Sequence, residues 1–293
     1  MSYRLSSSSE PDSRQVPGSL RLSAQENLIP GESLQEKFET AAALGYHGIE
    51  VRSRGEFQFA EREKELMTAV RDGVVISSAC MDMRCFIGDL EPERRKEARE
   101  NLKSQLGVIA RCGGTGIVAP ATYGVLSKRL PPYTSPRTAE ADAEIVVKAL
   151  AELGQVAEQE GAYLLLEPLN RYEDFILNTL AQGVDLIARS GTAGVKLCAD
   201  FYHMSIEEAD IASSVVKAGG HIGLVHLSDS NRHEPGAGHT DWLSGMGALE
   251  AIGYTGWHTL ECRPSTDLTL CLASCRDTVV RAYASVGYPG RPQ

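Results

Sequence analysis

Four ionisable side chains lie at or near the ends of four successive apolar segments in the second half of the chain. They are Glu167 in LLLEP, Asp200 in KLCAD, His226 in LVHLS and Glu261 in TLEC. Neighbouring members are separated by about 30 residues, the length of one strand and one helix. If the segments are parallel strands, the four side chains meet at one end of the sheet. The spacing therefore predicts a common site.

Three carboxylates and one imidazole at a common site would bind a cation. Without a cation the carboxylates would repel one another and their pKa values would rise, and a divalent ion removes that conflict. This oxygen-rich set favours Mn²⁺, with Mg²⁺, Co²⁺ or Zn²⁺ as alternatives, over a structural zinc site built on thiolates. Any one of these residues could instead form a salt bridge or a helix cap. Their conjunction favours the metal, as does the cost of burying Glu167 unpaired after three leucines.

Eight short segments rich in valine, isoleucine and leucine follow residue 19, as expected for strands buried on both faces. The predicted strands are 20–25, 47–52, 74–80, 116–121, 162–168, 195–200, 222–229 and 257–262. Amphipathic stretches separate them, and the order helix, glycine, strand recurs, as in AEQEGAYLLLE. Eight such units predict a closed (β/α)₈ TIM barrel of the α/β class. An open doubly wound sheet is disfavoured because no glycine-rich phosphate loop follows an early strand.

Composition and charge limit the function classes. The net charge of −10 over 293 residues disfavours bulk nucleic-acid binding. Residues 1–18 are predicted to be a disordered leader because they are rich in serine, proline and charged residues, and they lack the apolar region of a signal peptide. Residues 19–293 are predicted to be one catalytic domain. Seven cysteines without a CxxC motif indicate reduced, mostly buried thiols. No apolar run is long enough to span a membrane. We therefore expect a cytoplasmic protein that binds neither nucleic acid nor membrane.

Four motifs resemble a known family. The segments EPLNRYE (167–173), DFYHM (200–204), HLSDSNRHEPGAGHTDW (226–242) and LEC (260–262) are similar to those of the xylose-isomerase-like TIM barrels, the sugar phosphate isomerases and epimerases. Within that superfamily they most resemble the D-tagatose/D-psicose (ketose) 3-epimerases. The resemblance is dense over 161–262 and weak before residue 160.

The resemblance implies specific roles for these residues. It implies four ligands of one divalent ion: Glu167, Asp200, His226 and Glu261. It implies that Glu167 and Glu261 also exchange the proton that inverts C3 of a ketose or ketose phosphate through an enediolate. It implies three substrate contacts: Glu173, His203 and Arg232. The chemistry agrees, since carboxylates on opposite faces of a sugar can remove a proton from one side and return it on the other, and a bound ion can stabilise the enediolate charge.

Other activities fit the same residues. A 1,2-isomerase of the hydroxypyruvate isomerase type, or a dehydratase of the inosose or dehydroshikimate type, would keep the ion and both glutamates. A noncatalytic sugar-binding barrel would not need both glutamates. An apurinic-site endonuclease is disfavoured because it needs extra histidines on early strands, and residues 48–202 contain no histidine.

The first half of the chain leaves several questions open. Arg52, Arg54 and Arg84 lie in predicted loops and could accept a phosphate or be solvated, so a free sugar and a sugar phosphate both remain candidates. Asn170 and Arg171 could shape the pocket, and Asp241 is expected to cap a helix that begins near Trp242. The resemblance also implies a homo-oligomer, either a dimer or a tetramer.

Overall fold

The computed structural model describes residues 20–126 and 134–286. Eight parallel strands close into a barrel, in which each strand pairs with the next and the last pairs with the first. Strands β1 to β8 are Arg21–Gln25, Gly48–Arg54, Ile76–Asp82, Gly116–Pro120, Tyr163–Glu167, Val195–Asp200, Ile222–Leu227 and Trp257–Leu260. The predicted (β/α)₈ barrel is confirmed, and all eight predicted strands are present. The predicted leader lies outside the described residues.

Helices surround the barrel, and two strand–helix units carry two helices each. The α-helices of the described residues, α1 to α10, are Leu34–Ala43, Gln58–Glu61, Glu63–Arg71, Pro92–Arg111, Ala139–Glu160, Leu180–Ser190, Phe201–Glu207, Ile211–Ala218, Trp242–Ala251 and Leu268–Val286. Short 3₁₀ turns cover Glu26–Leu28 and Gly219–His221. The doubled helices follow β2 and β6, where the sequence pattern predicts only one helix per unit.

The recurring glycine after a helix has a backbone cause. Gly45, Gly113, Gly161 and Gly253 each follow a helix and have φ of 84°, 75°, 78° and 68°. This left-handed conformation ends a helix and is strained for residues with a Cβ atom. Glycine at these four positions therefore lets the chain turn directly from each helix into the next strand.

The barrel interior is filled by side chains, as in other TIM barrels. A compact inner group combines six buried residues from six strands: Cys80, Val118, Leu165, Cys198, Leu224 and Trp257. A larger apolar layer lies between the strands and the helices. All seven cysteines are in the described residues as free thiols, and six are buried, which confirms the expectation from the sequence. None of the described helices combines the length and apolar character needed to cross a bilayer.

Seven of the eight strands begin or end one or two residues away from their predicted bounds, and the end of β8 bears on the site. Strand β8 ends at Leu260, which pairs with Ala24, so Glu261 is the first residue after the strand and not part of it. The Glu261 amide still donates to the Leu227 carbonyl at 3.2 Å. The strand direction is therefore kept for one more residue, and the Glu261 side chain reaches the carboxyl end of the barrel.

Candidate active site

The structure brings the four predicted metal ligands together. Glu167 and Asp200 are the last residues of β5 and β6, and His226 is the next-to-last residue of β7. Asp200 and His226 are paired across neighbouring strands. One possible ligand atom from each of the four residues, Glu261 included, lies within 4.8 Å of the others. We call Glu167, Asp200, His226 and Glu261 the four-residue cluster.

The His226 ring is the centre of this cluster. Its Nδ1 atom is 2.9 Å from Glu167 Oε1, 2.9 Å from Glu261 Oε2 and 4.0 Å from Asp200 Oδ2. Asp200 caps helix α7, because its Oδ1 accepts from the Tyr202 amide at 2.7 Å. This bond fixes the carboxylate and directs Oδ2 toward the cluster. One possible ligand atom of each side chain is therefore already directed toward a common point.

The other nitrogen of His226 contacts a carboxylate that the sequence analysis missed. His226 Nε2 is 3.2 and 3.3 Å from the two carboxylate oxygens of Glu50, whose side chain is fully buried in β2. Glu50 also accepts hydrogen bonds from Gln25 Nε2 at 3.1 Å and Ser78 Oγ at 2.7 Å. A proton on Nε2 leaves the Nδ1 lone pair free for a cation. Carboxylates in this position fix the tautomer and orientation of metal-binding histidines.

The donor set fits one hard divalent ion. Three carboxylates and one imidazole nitrogen converge, and among the described residues the thiol in contact with them is Cys198, whose Sγ is 3.7 Å from Glu167 Oε1. Burial raises the pKa of Cys198 well above its usual value, which disfavours the thiolate that a metal would need. A protonated thiol does not ligate a metal. The cluster therefore offers oxygen and nitrogen ligands of the kind that manganese, magnesium and cobalt prefer.

The two glutamates of the cluster have unlike environments. Burial raises the pKa of Glu167, and the neighbouring His226 ring only partly opposes this effect. Burial acts in the same direction on Glu261, but the Arg232 guanidinium and the His226 ring outweigh it and hold the Glu261 pKa well below its usual range. In this arrangement the two carboxylates therefore hold a proton with unequal strength.

His203 lies beside the cluster in a defined orientation. It is buried, and its Nδ1 accepts a hydrogen bond from the Asn170 amide at 3.0 Å. The proton is then on Nε2, which lies 3.7 Å from Asp200 Oδ2. Asn170, which had no spacing argument in the sequence, thus orients His203 as a donor toward the cavity. Arg171, by contrast, is exposed and pairs with Glu207 at 2.8 Å.

Arg232 lies in the loop after β7, and its side chain contacts two members of the four-residue cluster. Its guanidinium donates to Asp200 Oδ2 at 2.6 Å and forms an ion pair with Glu261 Oε2 at 2.9 Å. It also lies 4.8 Å from the centre of the Tyr202 ring. Arg232 has a φ of 65°, which is uncommon for a residue with a side chain. Strain of this kind is kept where the surrounding structure imposes it, often at functional sites.

Asp229 holds the loop that presents Arg232. Its buried carboxylate accepts from the backbone amides of Ser230, Gly236 and Thr240 at 2.7, 2.8 and 3.0 Å. It also accepts from Trp242 Nε1 at 3.0 Å. Burial would raise the Asp229 pKa, but these donors outweigh it and hold the pKa well below its usual range. Trp242 begins α9 directly after the capping residue Asp241, as the sequence predicts.

A cavity of about 720 Å³ opens above the four-residue cluster. Its walls include all three predicted substrate contacts, Glu173, His203 and Arg232, together with the two glutamates of the cluster. Strand ends and loops of the first half complete the cavity with residues to which the sequence assigned no contact: Asn27, Arg52, Asp82, Phe86 and Tyr123. The predicted site residues are therefore brought together around one cavity, and their individual roles stay predictions.

Comparison with known proteins agrees with this geometry. A family model described as a xylose isomerase-like TIM barrel matches residues 38–273. The chain is 34% identical over 245 residues to the 3-dehydro-D-guloside 4-epimerase of Escherichia coli (strain K12), covering 83% of this chain and 92% of that protein. It is 37% identical over 129 residues to the D-psicose 3-epimerase of Enterocloster bolteae, covering 44% of this chain and 43% of that protein.

A solved structure is also similar over the whole barrel. The apo crystal structure of the 3-keto-D-glucoside 4-epimerase YcjR from E. coli superposes with a TM-score of 0.82 at 32% identity, covering 90% of this chain and 99% of that chain. This chain belongs to the xylose isomerase-like TIM barrel family. Within that family it is an enzyme of the isomerase class, an epimerase.

Proposed function

We propose that this enzyme inverts a carbon next to a sugar ketone, with one divalent ion bound to Glu167, Asp200, His226 and Glu261. The observation that carries the proposal is the placement of two carboxylates, Glu167 and Glu261, in one cluster, where both line the same cavity. They reach it from β5 and from the end of β8, with two strands between them. Such a pair suits proton removal from one face of a substrate and proton return on the other.

The proposed reaction needs no redox partner and no leaving group. One carboxylate takes the proton from the carbon next to the ketone, and the bonding electrons move onto the ketone oxygen to form an enediolate. The second glutamate, which begins the step as a carboxylic acid, gives its proton to the opposite face of the same carbon and restores the ketone with inverted configuration. Proton exchange with solvent then returns both glutamates to their starting protonation states. The ion, when bound, supplies positive charge that lowers the energy of the enediolate. Mn²⁺ is the proposed ion.

The remaining residues of the cavity are proposed to hold the sugar. His203, with its proton on Nε2, would donate to a hydroxyl, and Glu173 would accept from one. Arg232 would donate to the oxygen on which negative charge develops. These three contacts fix which carbon faces the two glutamates, and that position decides the product.

Two substrates fit this chemistry. Inversion at C3 of a ketose is the first, and the similarity to D-psicose 3-epimerase supports it. Inversion at C4 of a 3-keto glycoside is the second, and the relative that aligns over 92% of its own length supports it. Both reactions remove a proton next to a ketone that is flanked by hydroxyls. A 1,2-isomerase or dehydratase would use the same carboxylates, but the similar proteins are epimerases, which favours epimerisation.

The test is a solvent exchange experiment with the manganese-loaded enzyme in D₂O. D-fructose, D-fructose 6-phosphate, an inosose and methyl 3-keto-α-D-glucoside are incubated separately and the label is located by NMR. We expect one deuterium at the inverted carbon of at least one sugar, and no exchange with Glu261→Gln. Label at C1 of a ketose would indicate a 1,2-isomerase, and loss of water would indicate a dehydratase. Absence of exchange with every sugar, with metal bound, would contradict the proposal.

A further inference from the structure

A second hollow adjoins the cavity above the four-residue cluster. Asn27 and Arg52 line both spaces. The second space has a volume of about 510 Å³, and we call it the side groove. Its other walls are Glu26, Arg54, Gln58, Glu61, Arg62 and Glu65. These residues follow β1 and β2, so the side groove lies on the same face of the barrel as the cluster.

We propose that the side groove binds the second half of a glycoside, a neutral, hydroxyl-rich group such as another sugar ring, while the keto sugar lies in the central cavity. This inference rests on the proposed function and names its substrate class. A free ketose would leave the side groove without a ligand.

The charges of the side groove favour a neutral group over a phosphate. Its walls carry three arginines and three glutamates. Arg62 is already engaged, because its guanidinium binds both carboxylate oxygens of Glu26, at 2.8 and 3.0 Å, and contacts Glu65 at 3.2 Å. Arg52 lies 3.7 Å from Asp82. A phosphate site needs several cations whose charge is not already compensated, and of these three arginines only Arg54 lacks a carboxylate partner within the described residues. The side groove therefore suits hydroxyl groups, which need donors and acceptors without net charge.

Two side chains that line the side groove are free to bind such a group. Arg54 and Gln58 are exposed. Within residues 20–126 and 134–286, neither the Arg54 guanidinium nor the Gln58 amide has a side-chain hydrogen bond or ion-pair partner. Glu26, another residue of the side groove, is fixed because it accepts from the Arg52 amide at 2.7 Å as well as from Arg62. The side groove therefore combines a fixed carboxylate with two unengaged polar side chains, which can accept from and donate to sugar hydroxyls.

The backbone next to Gln58 is strained in a way that positions it. Glu56 and Phe57 have φ values of 54° and 60°, two consecutive left-handed residues that are not glycine. The Phe57 amide donates to Asn101 Oδ1 at 2.9 Å, which holds this turn against α4. Helix α2 begins directly afterwards at Gln58. The strain has a function under this proposal, because it directs the start of α2 over the side groove.

The chemistry of a keto glycoside agrees with this arrangement. When C4 next to a C3 ketone faces the two glutamates, the anomeric carbon lies across the ring from C4. Its substituent therefore points away from the reacting edge and needs a separate space. The side groove, which shares Asn27 and Arg52 with the central cavity, is such a space.

The test compares two substrates that differ only in the second half of the molecule. Methyl 3-keto-α-D-glucoside and 3-ketomaltose, with the ketone on the non-reducing ring, are given to the manganese-loaded full-length enzyme. We expect a lower KM for 3-ketomaltose. Arg54→Ala and Gln58→Ala should each raise the KM ratio of 3-ketomaltose to the methyl glycoside by about 3- to 10-fold, the value of one lost hydrogen bond. Arg71→Ala, an exposed arginine at the far end of α3, is the matched control and should leave the ratio unchanged.

The outcomes separate the side groove from the proposed function. Equal KM values for both glycosides, with no change of the ratio in either variant, would overturn the side-groove proposal while epimerisation stands. So would selective weakening of D-fructose 6-phosphate by Arg54→Ala. If no sugar turns over, the proposed function fails, and calorimetry with maltose and methyl α-D-glucoside then decides the side groove. Tighter maltose binding that Arg54→Ala removes would support it, and equal binding would overturn it.

Discussion

Glu50→Gln tests how the buried carboxylate behind His226 contributes to metal binding. Glutamine has nearly the same shape, and its amide nitrogen can face Ser78, whose hydroxyl can accept as well as donate. Its oxygen can still accept from Gln25 and His226, so the hydrogen-bonding pattern is preserved and the fold should remain intact. The substitution removes the negative charge of Glu50, which lies 3.2 Å from His226 Nε2. That charge makes Nδ1 of the unmodified protein a stronger metal ligand. Substitutions of this kind lower metal affinity by about 10- to 100-fold.

Because the hydrogen bonds survive, we expect the lower end of that range, about tenfold or about 1.4 kcal/mol. The assay is isothermal titration of metal-free protein with Mn²⁺, accompanied by circular dichroism to confirm folding. Glu144→Gln is the matched control, since Glu144 is exposed on α5. Unchanged Mn²⁺ affinity in a folded Glu50→Gln protein would refute the idea that Glu50 acts through His226.

Two further substitutions test the supports of the site and the barrel. His258 is fully buried, neither ring nitrogen has a hydrogen-bond partner in the described structure, and burial lowers its pKa to about 4. The pKa of His258 in the folded protein is below the unfolded value of about 6.5. The free energy of unfolding should therefore be highest above pH 6.5 and fall by up to about 3 kcal/mol toward pH 4. In urea unfolding, His258→Leu should show a weaker pH dependence of this free energy than the unmodified protein, and an equal pH dependence would contradict the prediction. Asp229→Asn places an amide group against backbone N–H donors. We expect the free energy of unfolding, measured by thermal unfolding, to fall by about 1–3 kcal/mol and the KM for the sugar to rise. Stability equal to that of the exposed control Asp185→Asn would count against the role of Asp229.

The sequence predicted the barrel because its strands are short, apolar and evenly spaced. It also placed Glu167, Asp200 and His226 correctly, because parallel strands bring their carboxyl ends to one face. Glu50 was not predicted because it lies inside a strand and not at its end, although a glutamate inside the apolar strand GIEV carries the same signal as the one in LLLEP. A charged residue within a buried strand needs a partner wherever it lies.

Other parts of the site could not be predicted for physical reasons. Helices α2 and α7 have four and seven residues, too few for a periodic apolar pattern. The side groove depends on the left-handed backbone of Glu56 and Phe57, which neither residue type favours and only tertiary contacts impose. The pairing of Arg232 with Asp200 and Glu261 depends on the same kind of loop geometry.

Anomalous diffraction from crystals grown with Mn²⁺ tests the central claim most directly. We expect a single strong manganese peak bound by one carboxylate oxygen each from Glu167, Asp200 and Glu261 and by His226 Nδ1, with Nε2 still bonded to Glu50. A manganese peak elsewhere, or none at this cluster with the metal in excess, would contradict the account.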